Sequence, residues 1–301
     1  MRFWALLLLM GTGWGFTVPL AKIAIDGGLR GFGIIFWQSV VGVILLTVIM
    51  LLRRKKLPLG WPQVRVYFVI ALVGTVVPNA FSFASYVHLD AGIMSILIST
   101  VPLFAFPFAL AMGNERFVMR RLQGLLLGFA GVMFLIVPGQ AAIGQVSLWY
   151  VACALVAPAL YGFEGNWVSR FGTAGLDPIQ VIFGASIIGA VVSAPMAYFS
   201  GVWIDPTLPW GQAGWALIGS SVIHIVVYSS YVWLISAAGP VFAVQVGYIV
   251  TLSGVFWSRL LLGESYTSWV WVALVLVLSG VFLVLPKPKL ALVPKSEGGQ
   301  N

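Results

Sequence analysis

The feature that most constrains the fold is an uninterrupted apolar run from Phe32 to Leu52. It contains 21 residues and no charged side chain. A helix of about 20 residues crosses the hydrocarbon core of a bilayer, which is about 30 Å thick. Similar runs recur along the 301-residue chain, in which only 8% of residues are charged. Soluble domains carry about 25% charged residues, so the sequence predicts an integral membrane protein with several spans.

Charged residues and clusters of Gly, Pro and Asp divide the chain into ten predicted membrane helices. The connecting segments are short and leave no room for a soluble domain on either side of the membrane. The polar segment 287–301 is predicted to be a disordered cytoplasmic tail. The predicted helices cover residues 3–25, 31–52, 65–88, 91–113, 122–139, 147–169, 178–200, 212–235, 241–262 and 269–286.

The basic residues predict the orientation of these helices. With the N-terminus inside, all of the 16 Lys and Arg residues except Lys22, Arg30 and Arg259 fall on the cytoplasmic side. Since basic residues accumulate in cytoplasmic loops, both termini are predicted to be cytoplasmic. The net charge of +8 comes from short clusters between apolar runs and not from a basic face or tail. This distribution argues against nucleic acid as a partner.

The two halves of the chain resemble each other. Gly15-Phe16 matches Gly162-Phe163 at an offset of 147 residues (162 − 15), and "SYVHL" at 85–89 matches "SYVWL" at 230–234 at an offset of 145 (230 − 85). Because five helices per copy is an odd number, the second copy enters the membrane from the opposite side. Such inverted repeats are typical of secondary transporters, in which the substrate site lies between the copies near the midplane.

We therefore predict an all-α membrane protein built from two inverted five-helix repeats, residues 3–139 and 147–286. No cofactor or metal site is expected, because the two histidines lie on different predicted helices and the single Cys153 lies in an apolar run. The expected partners are a small-molecule substrate and the lipid bilayer, with the chain acting as a monomer or a homodimer.

Local motifs in both halves resemble the EamA-type permeases of the drug/metabolite transporter superfamily. The first half has Trp14-Gly15 in a helix that ends near Lys22, and a helix with Pro102 that leads to "NER" at 114–116. The second half has "GES" at 263–265. The resemblance covers two units, from about residue 3 to residue 286. It implies ten helices and the export of small metabolites, often amino acids or related compounds, through the cell (inner) membrane.

The chain departs from the family pattern at two positions. Gln38 stands near the place where many relatives carry an arginine, and Tyr161-Gly162 stands where the first half has Trp-Gly. The identity of the substrate cannot be transferred from so broad a family.

The strongest candidate for a binding residue is His224, near the centre of its predicted span. His224, Tyr228 and Tyr231 are spaced i, i+4, i+7 and therefore share one helix face. At an offset of 145 (224 − 79), the counterpart of His224 is Asn79, which follows Pro78. Two polar residues at related midplane positions predict a cavity lined by both repeats. A buried hydrogen bond between helices is the alternative explanation.

Charged residues inside predicted spans also need a reason, since each costs about 2.5–3.5 kcal/mol at the helix centre. Glu164, with Arg170 six residues further on, is either a proton or cation site that faces the cavity or a group that reaches the interface and pairs with a base. His224 is a second candidate for proton coupling, because histidine titrates at about pH 6.5. Arg259 is expected to reach the interface or to pair with Glu264.

The segment "GWGFTVPLAK" at 13–22 predicts a weakened first helix. Pro19 removes a backbone hydrogen bond, and the glycines before it lower helix rigidity. Irregular backbone at membrane depth is tolerated where protein or a water-filled cavity surrounds it, so Trp14 and Thr17 are predicted to lie near the pathway. A static kink that only serves packing is the alternative. Further helix breaks or hinges are predicted at Pro78 and Pro102.

These features favour a secondary transporter that works by alternating access. A passive channel or a membrane scaffold is the main alternative. An intramembrane enzyme is disfavoured, because the eight acidic residues are scattered and no Gly-x-Ser-Gly motif lies in the chain. We therefore expect no catalytic residue. The predicted substrate-binding residues are His224, Asn79, Tyr228, Tyr231, Trp14, Thr17, Gln38 and Tyr248.

Overall fold

The computed structural model describes residues 2–136, 148–207, 210–238 and 245–285, and these residues form helices and connecting turns without any strand. The predicted tail 287–301 and the start of the predicted helix 241–262 lie outside the described residues. The helices are α1 (Arg2–Asp26), α2 (Gly31–Leu52), α3 (Trp61–Ala71), α4 (Val77–Tyr86), α5 (Ala91–Ile98), α6 (Val101–Ala111), α7 (Met119–Ile136), α8 (Leu148–Phe171), α9 (Pro178–Phe199), α10 (Gly211–Ala238), α11 (Val246–Leu262) and α12 (Ser268–Val284).

The described part of the chain contains seven helical stretches that are long and apolar enough to cross a membrane. Two of them, Trp61–Tyr86 and Ala91–Ala111, each combine two of the helices named above. The helices α11 and α12 are also apolar but shorter. The prediction of an all-helical, multi-pass membrane protein is therefore confirmed.

Two of the predicted spans are interrupted near their middle. Residues Leu72–Val76 form a π-helical turn between α3 and α4, and Pro78 lies in the first turn of α4. Residues 99–100 separate α5 from α6, whose first turn contains Pro102. By contrast, α1 continues without a break through Pro19. π-Helical turns inside a helix occur frequently at functional sites. A hinge role for any of these prolines stays a prediction.

The helices pack in a pattern that relates the two halves of the chain. In the first half, α1 packs against α10 and α11; in the second half, α8 packs against α4 and α6. Likewise α2 packs against α10, and α9 packs against α3. Two further pairs, α2 with α9 and α7 with α12, each join one helix of the first half to one helix of the second half. The helices that carry the predicted site, α1 and α10, are therefore direct neighbours.

The contact between α7 and α12 depends on glycines that let the two backbones approach closely. A Cβ atom added at Gly280 would lie 2.5 Å from the backbone nitrogen of Gly128 and 2.6 Å from the backbone oxygen of Gly124. The G-x-x-x-G pair of α7 is thus used inside the chain, as small residues commonly are between membrane helices.

This contact predicts a stability defect in Gly280→Ala. Overpacking a closely fitted contact typically costs about 1–3 kcal/mol, so the variant should unfold at a lower temperature in detergent. Gly165→Ala is the matched control, because no described atom lies within 4 Å of a Cβ built at that position of α8. Equal unfolding temperatures for the two variants would contradict the packing argument.

Charged residues gather at the two ends of the bundle. At one end, Asp177 forms ion pairs with Lys55 and with Arg53, the latter at 3.9 Å, and it caps α9 by accepting a hydrogen bond from the backbone N–H of Gln180. Burial raises the pKa of Asp177, but the hydrogen bonds from Lys55 and Gln180 outweigh burial and hold the pKa below its usual value. We call this the Lys55 end. The opposite end, which contains Glu264, is called the Glu264 end.

Candidate functional site

The predicted residues of α1 and α10 form a compact group of aromatic rings. Trp14 Nε1 donates a hydrogen bond of 2.9 Å to Nδ1 of His224. The Trp14 ring centroid lies 5.6 Å from that of His224, 5.8 Å from that of Tyr231 and 6.2 Å from that of Tyr228. These four residues, Trp14, His224, Tyr228 and Tyr231, are called the aromatic cluster.

The side chains of the aromatic cluster are only partly buried. His224 is exposed although it faces α1, and the other three side chains are only half-buried. A histidine enclosed in a packed helix contact would be buried. The imidazole of His224 is therefore accessible beside Trp14 and is not enclosed in the helix contact.

A second hydrogen bond occupies the equivalent place in the other half of the site. The hydroxyl of Tyr161 on α8 donates to Oδ1 of Asn79 on α4, at 3.4 Å. Tyr161 follows Trp14 by 147 residues (161 − 14), and His224 follows Asn79 by 145 (224 − 79). In each half, an aromatic residue of the first helix thus donates to a polar residue of the other half. Tyr161 was not among the predicted binding residues, although its offset from Trp14 could have identified it.

Glu164 lies between these two hydrogen-bonded pairs. Its carboxylate covers Gly74 in the π-helical turn, where an added Cβ would lie 2.5–2.8 Å from the carboxylate atoms. The carboxylate also interacts electrostatically with the hydroxyl groups of Tyr161 and Tyr228. Among the described residues, no ion pair or hydrogen bond neutralises it, and Arg170 is not its partner. A role for Glu164 as a proton or cation site stays a prediction.

The other predicted binding residues on α1, α2 and α11 do not belong to the aromatic cluster. The Thr17 hydroxyl donates to the backbone oxygen of Trp14 at 2.6 Å, one turn along α1. Gln38 is half-buried on α2, and the Tyr248 hydroxyl on α11 is buried with no hydrogen-bond partner in the described part of the chain. No hydrogen bond or ring contact between described residues joins Gln38 or Tyr248 to the aromatic cluster. Their role stays a prediction.

At the Glu264 end, a carboxylate caps a helix from a distant part of the chain. Glu264 accepts hydrogen bonds from the backbone N–H groups of Ala91 at 2.8 Å and Gly92 at 3.0 Å, in the first turn of α5. The Tyr266 hydroxyl donates to the same carboxylate at 2.5 Å. A carboxylate at a helix N-terminus is favourable because it complements unpaired N–H groups and the helix dipole. No feature of the sequence predicted this contact.

Other charged groups surround this cap. Lys22 pairs with Asp26 at 3.3 Å and donates to the backbone oxygen of Tyr86 at 2.7 Å. Burial raises the pKa of Asp90, and the nearby charge of Glu264 adds to this effect, whereas Lys22 opposes it. Among the described residues, Arg259 forms no ion pair with Glu264, whose carboxylate caps α5, so the alternative in which Arg259 reaches the interface remains. Arg259 instead lines a surface cavity of about 370 Å³.

Comparison with known proteins agrees with this architecture. The sequence pattern of the EamA-like transporter family matches residues 2–137 and again residues 148–285. A solved crystal structure superposes with a TM-score of 0.61 at 19% identity, over 92% of this chain and 94% of the other. That likeness concerns the fold alone.

Several curated proteins are similar over most of their length. The uncharacterized transporter YoaV of Bacillus subtilis is 24% identical over 280 residues, which are 90% of this chain and 92% of YoaV. The uncharacterized inner membrane transporter YedA of Escherichia coli K12 is 26% identical over 94% of this chain and 92% of YedA. A protein of Streptantibioticus cattleyicolor named as a probable terminal-alkyne amino-acid exporter is 27% identical over 53% of each chain.

The two matches to the family pattern and the all-helical architecture support the same family assignment. The predicted location in the cell (inner) membrane is confirmed, and the relatives are named as transporters rather than enzymes. The chain belongs to the EamA-like transporter family.

Proposed function

We propose that the chain is a secondary transporter that exports small metabolites, amino acids or related amphipathic compounds, by alternating access. In this proposal, ten transmembrane helices form two inverted five-helix repeats, residues 3–139 and 147–286, with both termini in the cytoplasm. The observation that carries the proposal is the pair of equivalent hydrogen bonds, Trp14 to His224 and Tyr161 to Asn79, across the interface of the two halves.

Two further observations support the repeat. The family pattern matches the chain twice, in ranges close to the two predicted units. The packing of α1 against α10 and α11 also has its equivalent in the packing of α8 against α4 and α6. Related halves can exchange roles between inward-open and outward-open states, which is how inverted repeats support alternating access.

The substrate is proposed to lie against the aromatic cluster, with Asn79 and Tyr161 on its other side. Half-buried aromatic faces suit an apolar group, and the ring nitrogen and hydroxyls can orient a polar one. Thr17, Gln38 and Tyr248 are proposed to line the same pathway. Glu164 and His224 are proposed as the groups at which proton or ion coupling could occur. Export of amino acids is supported by the Streptantibioticus cattleyicolor relative, which is named as a probable terminal-alkyne amino-acid exporter.

Counterflow in reconstituted vesicles tests this proposal. Vesicles that contain the protein and a high internal concentration of one amino acid should accumulate the same radiolabelled amino acid from outside, beyond equilibrium. Twenty amino acids and a set of small amines would be screened in turn. A carrier exchanges solute through one alternating site, so it produces counterflow. A passive channel equilibrates the label without overshoot, and a scaffold gives no flux above empty vesicles.

A further inference from the structure

The acidic group at the centre of the proposed site has no basic partner in the described structure. Glu164 faces Gly74, Tyr161 and Tyr228, none of which can neutralise a carboxylate. Insertion of a charged carboxylate into a span costs about 2.5–3.5 kcal/mol at the helix centre, so such groups usually have a functional partner. A cation that enters from outside the chain would supply such a partner.

Basic side chains on two other helices of the first half are engaged elsewhere. Arg65 on α3 lies over the ring of Trp167, with its guanidinium carbon 5.8 Å from the ring centroid. Lys22 on α1 is held at the Glu264 end by Asp26 and the backbone oxygen of Tyr86. The site therefore combines one unpaired carboxyl group with no described positive charge in contact with it. An anionic solute would be repelled from this site.

The aromatic cluster adds a second element of cation recognition. Tyr228 is close to both Trp14 and Glu164. Its ring centroid lies 6.2 Å from that of Trp14, and its hydroxyl lies within electrostatic range of the Glu164 carboxyl group. Aromatic faces attract organic cations, and Trp and Tyr are the most effective. A carboxylate next to aromatic faces is the combination that recognises an alkylammonium group joined to an apolar body.

We propose that Glu164 binds the protonated amine of the transported solute while the aromatic cluster holds the solute's apolar part. Organic monocations are then preferred over zwitterions of the same size, and zwitterions over anions. This inference rests on the proposed transport function and narrows its substrate class. Gly74 belongs to the site because only a residue without a side chain leaves room for the carboxylate.

Binding of three probes that share a phenyl group tests the proposal. Phenethylamine is a cation, L-phenylalanine a zwitterion and phenylacetate an anion. Isothermal titration calorimetry on the purified full chain in detergent should give a Kd for phenethylamine at least about tenfold below that for phenylacetate. Glu164→Gln should remove this preference, and Glu164→Asp should retain most of it. Asp205→Asn, at an exposed acid outside the helices, is the control and should retain the preference fully.

Gly74→Ala provides an independent variant, since the added methyl group displaces the carboxylate without removing its charge. It should weaken phenethylamine binding and leave phenylacetate binding unchanged. The proposal is overturned if the wild type binds phenylacetate as tightly as phenethylamine, fails to bind phenethylamine, or keeps its preference in Glu164→Gln. Counterflow of neutral or anionic solutes but not of amines would overturn this inference and leave the transport function intact.

Discussion

His224→Ala is expected to lower counterflow at least about tenfold while the protein still folds and reaches the membrane. The substitution removes the acceptor that holds the Trp14 indole N–H in place beside α10. It also removes one ring of the aromatic cluster against which the substrate is proposed to lie. Initial rates of counterflow, corrected for the amount of protein in the vesicles, measure the effect.

Two companion variants separate a loss of the site from a loss of fold. Trp14→Phe keeps an aromatic ring but removes the donor, so its defect should be no larger than that of His224→Ala, and the double variant should be no worse than His224→Ala alone. Asn79→Ala should have a smaller effect, because its hydrogen bond from Tyr161 is longer, at 3.4 Å. His88→Ala, at the chain's other histidine, is the control and should transport normally. Normal transport in both His224→Ala and Asn79→Ala would remove these residues from the site.

The positions of the helices could be predicted from the sequence because membrane thickness fixes the length of an apolar run. The predicted range 31–52 and the observed α2 coincide. The π-helical turn at Leu72–Val76 could not be predicted, since nothing in "LVGTV" distinguishes it from ordinary apolar helix. The turn is defined by a local backbone conformation that composition does not encode.

Part of the candidate site could also be predicted, because helical periodicity determines which residues share a face. Helical spacing places His224, Tyr228 and Tyr231 on one face, and the structure directs that face towards Trp14. Tyr161, the hydrogen-bond partner of Asn79, could have been predicted by applying the repeat offset of 147 residues to Trp14. Contacts between segments far apart in the chain carry no local signal. The cap that Glu264 places on Ala91, 173 residues away, is such a contact.

Glu264→Ala is expected to open the Glu264 end of the bundle. In the predicted orientation this end faces the exterior, and we expect the cap to keep the bundle closed there, because it fastens α5 to the connection between α11 and α12. Two charge-assisted hydrogen bonds, from Ala91 and Gly92, are lost in the variant. If this loss shifts the gating equilibrium by about 2 kcal/mol, the open state becomes about thirtyfold more populated.

A cysteine at Ser95 can report this opening. Ser95 is fully buried on α5, and its hydroxyl donates to the backbone oxygen of Thr251 on α11, at 3.2 Å. In a Cys153→Ala background, Ser95→Cys should be protected from a membrane-impermeant maleimide, and adding Glu264→Ala should speed its labelling by at least about tenfold. Ser193→Cys, equally buried on α9, should stay protected in both backgrounds. Faster labelling at both cysteines would mean general unfolding, and unchanged labelling at Ser95→Cys would mean that the cap does not hold the gate. A selective increase would link the carboxylate that fastens α5 to the population of the outward-open state.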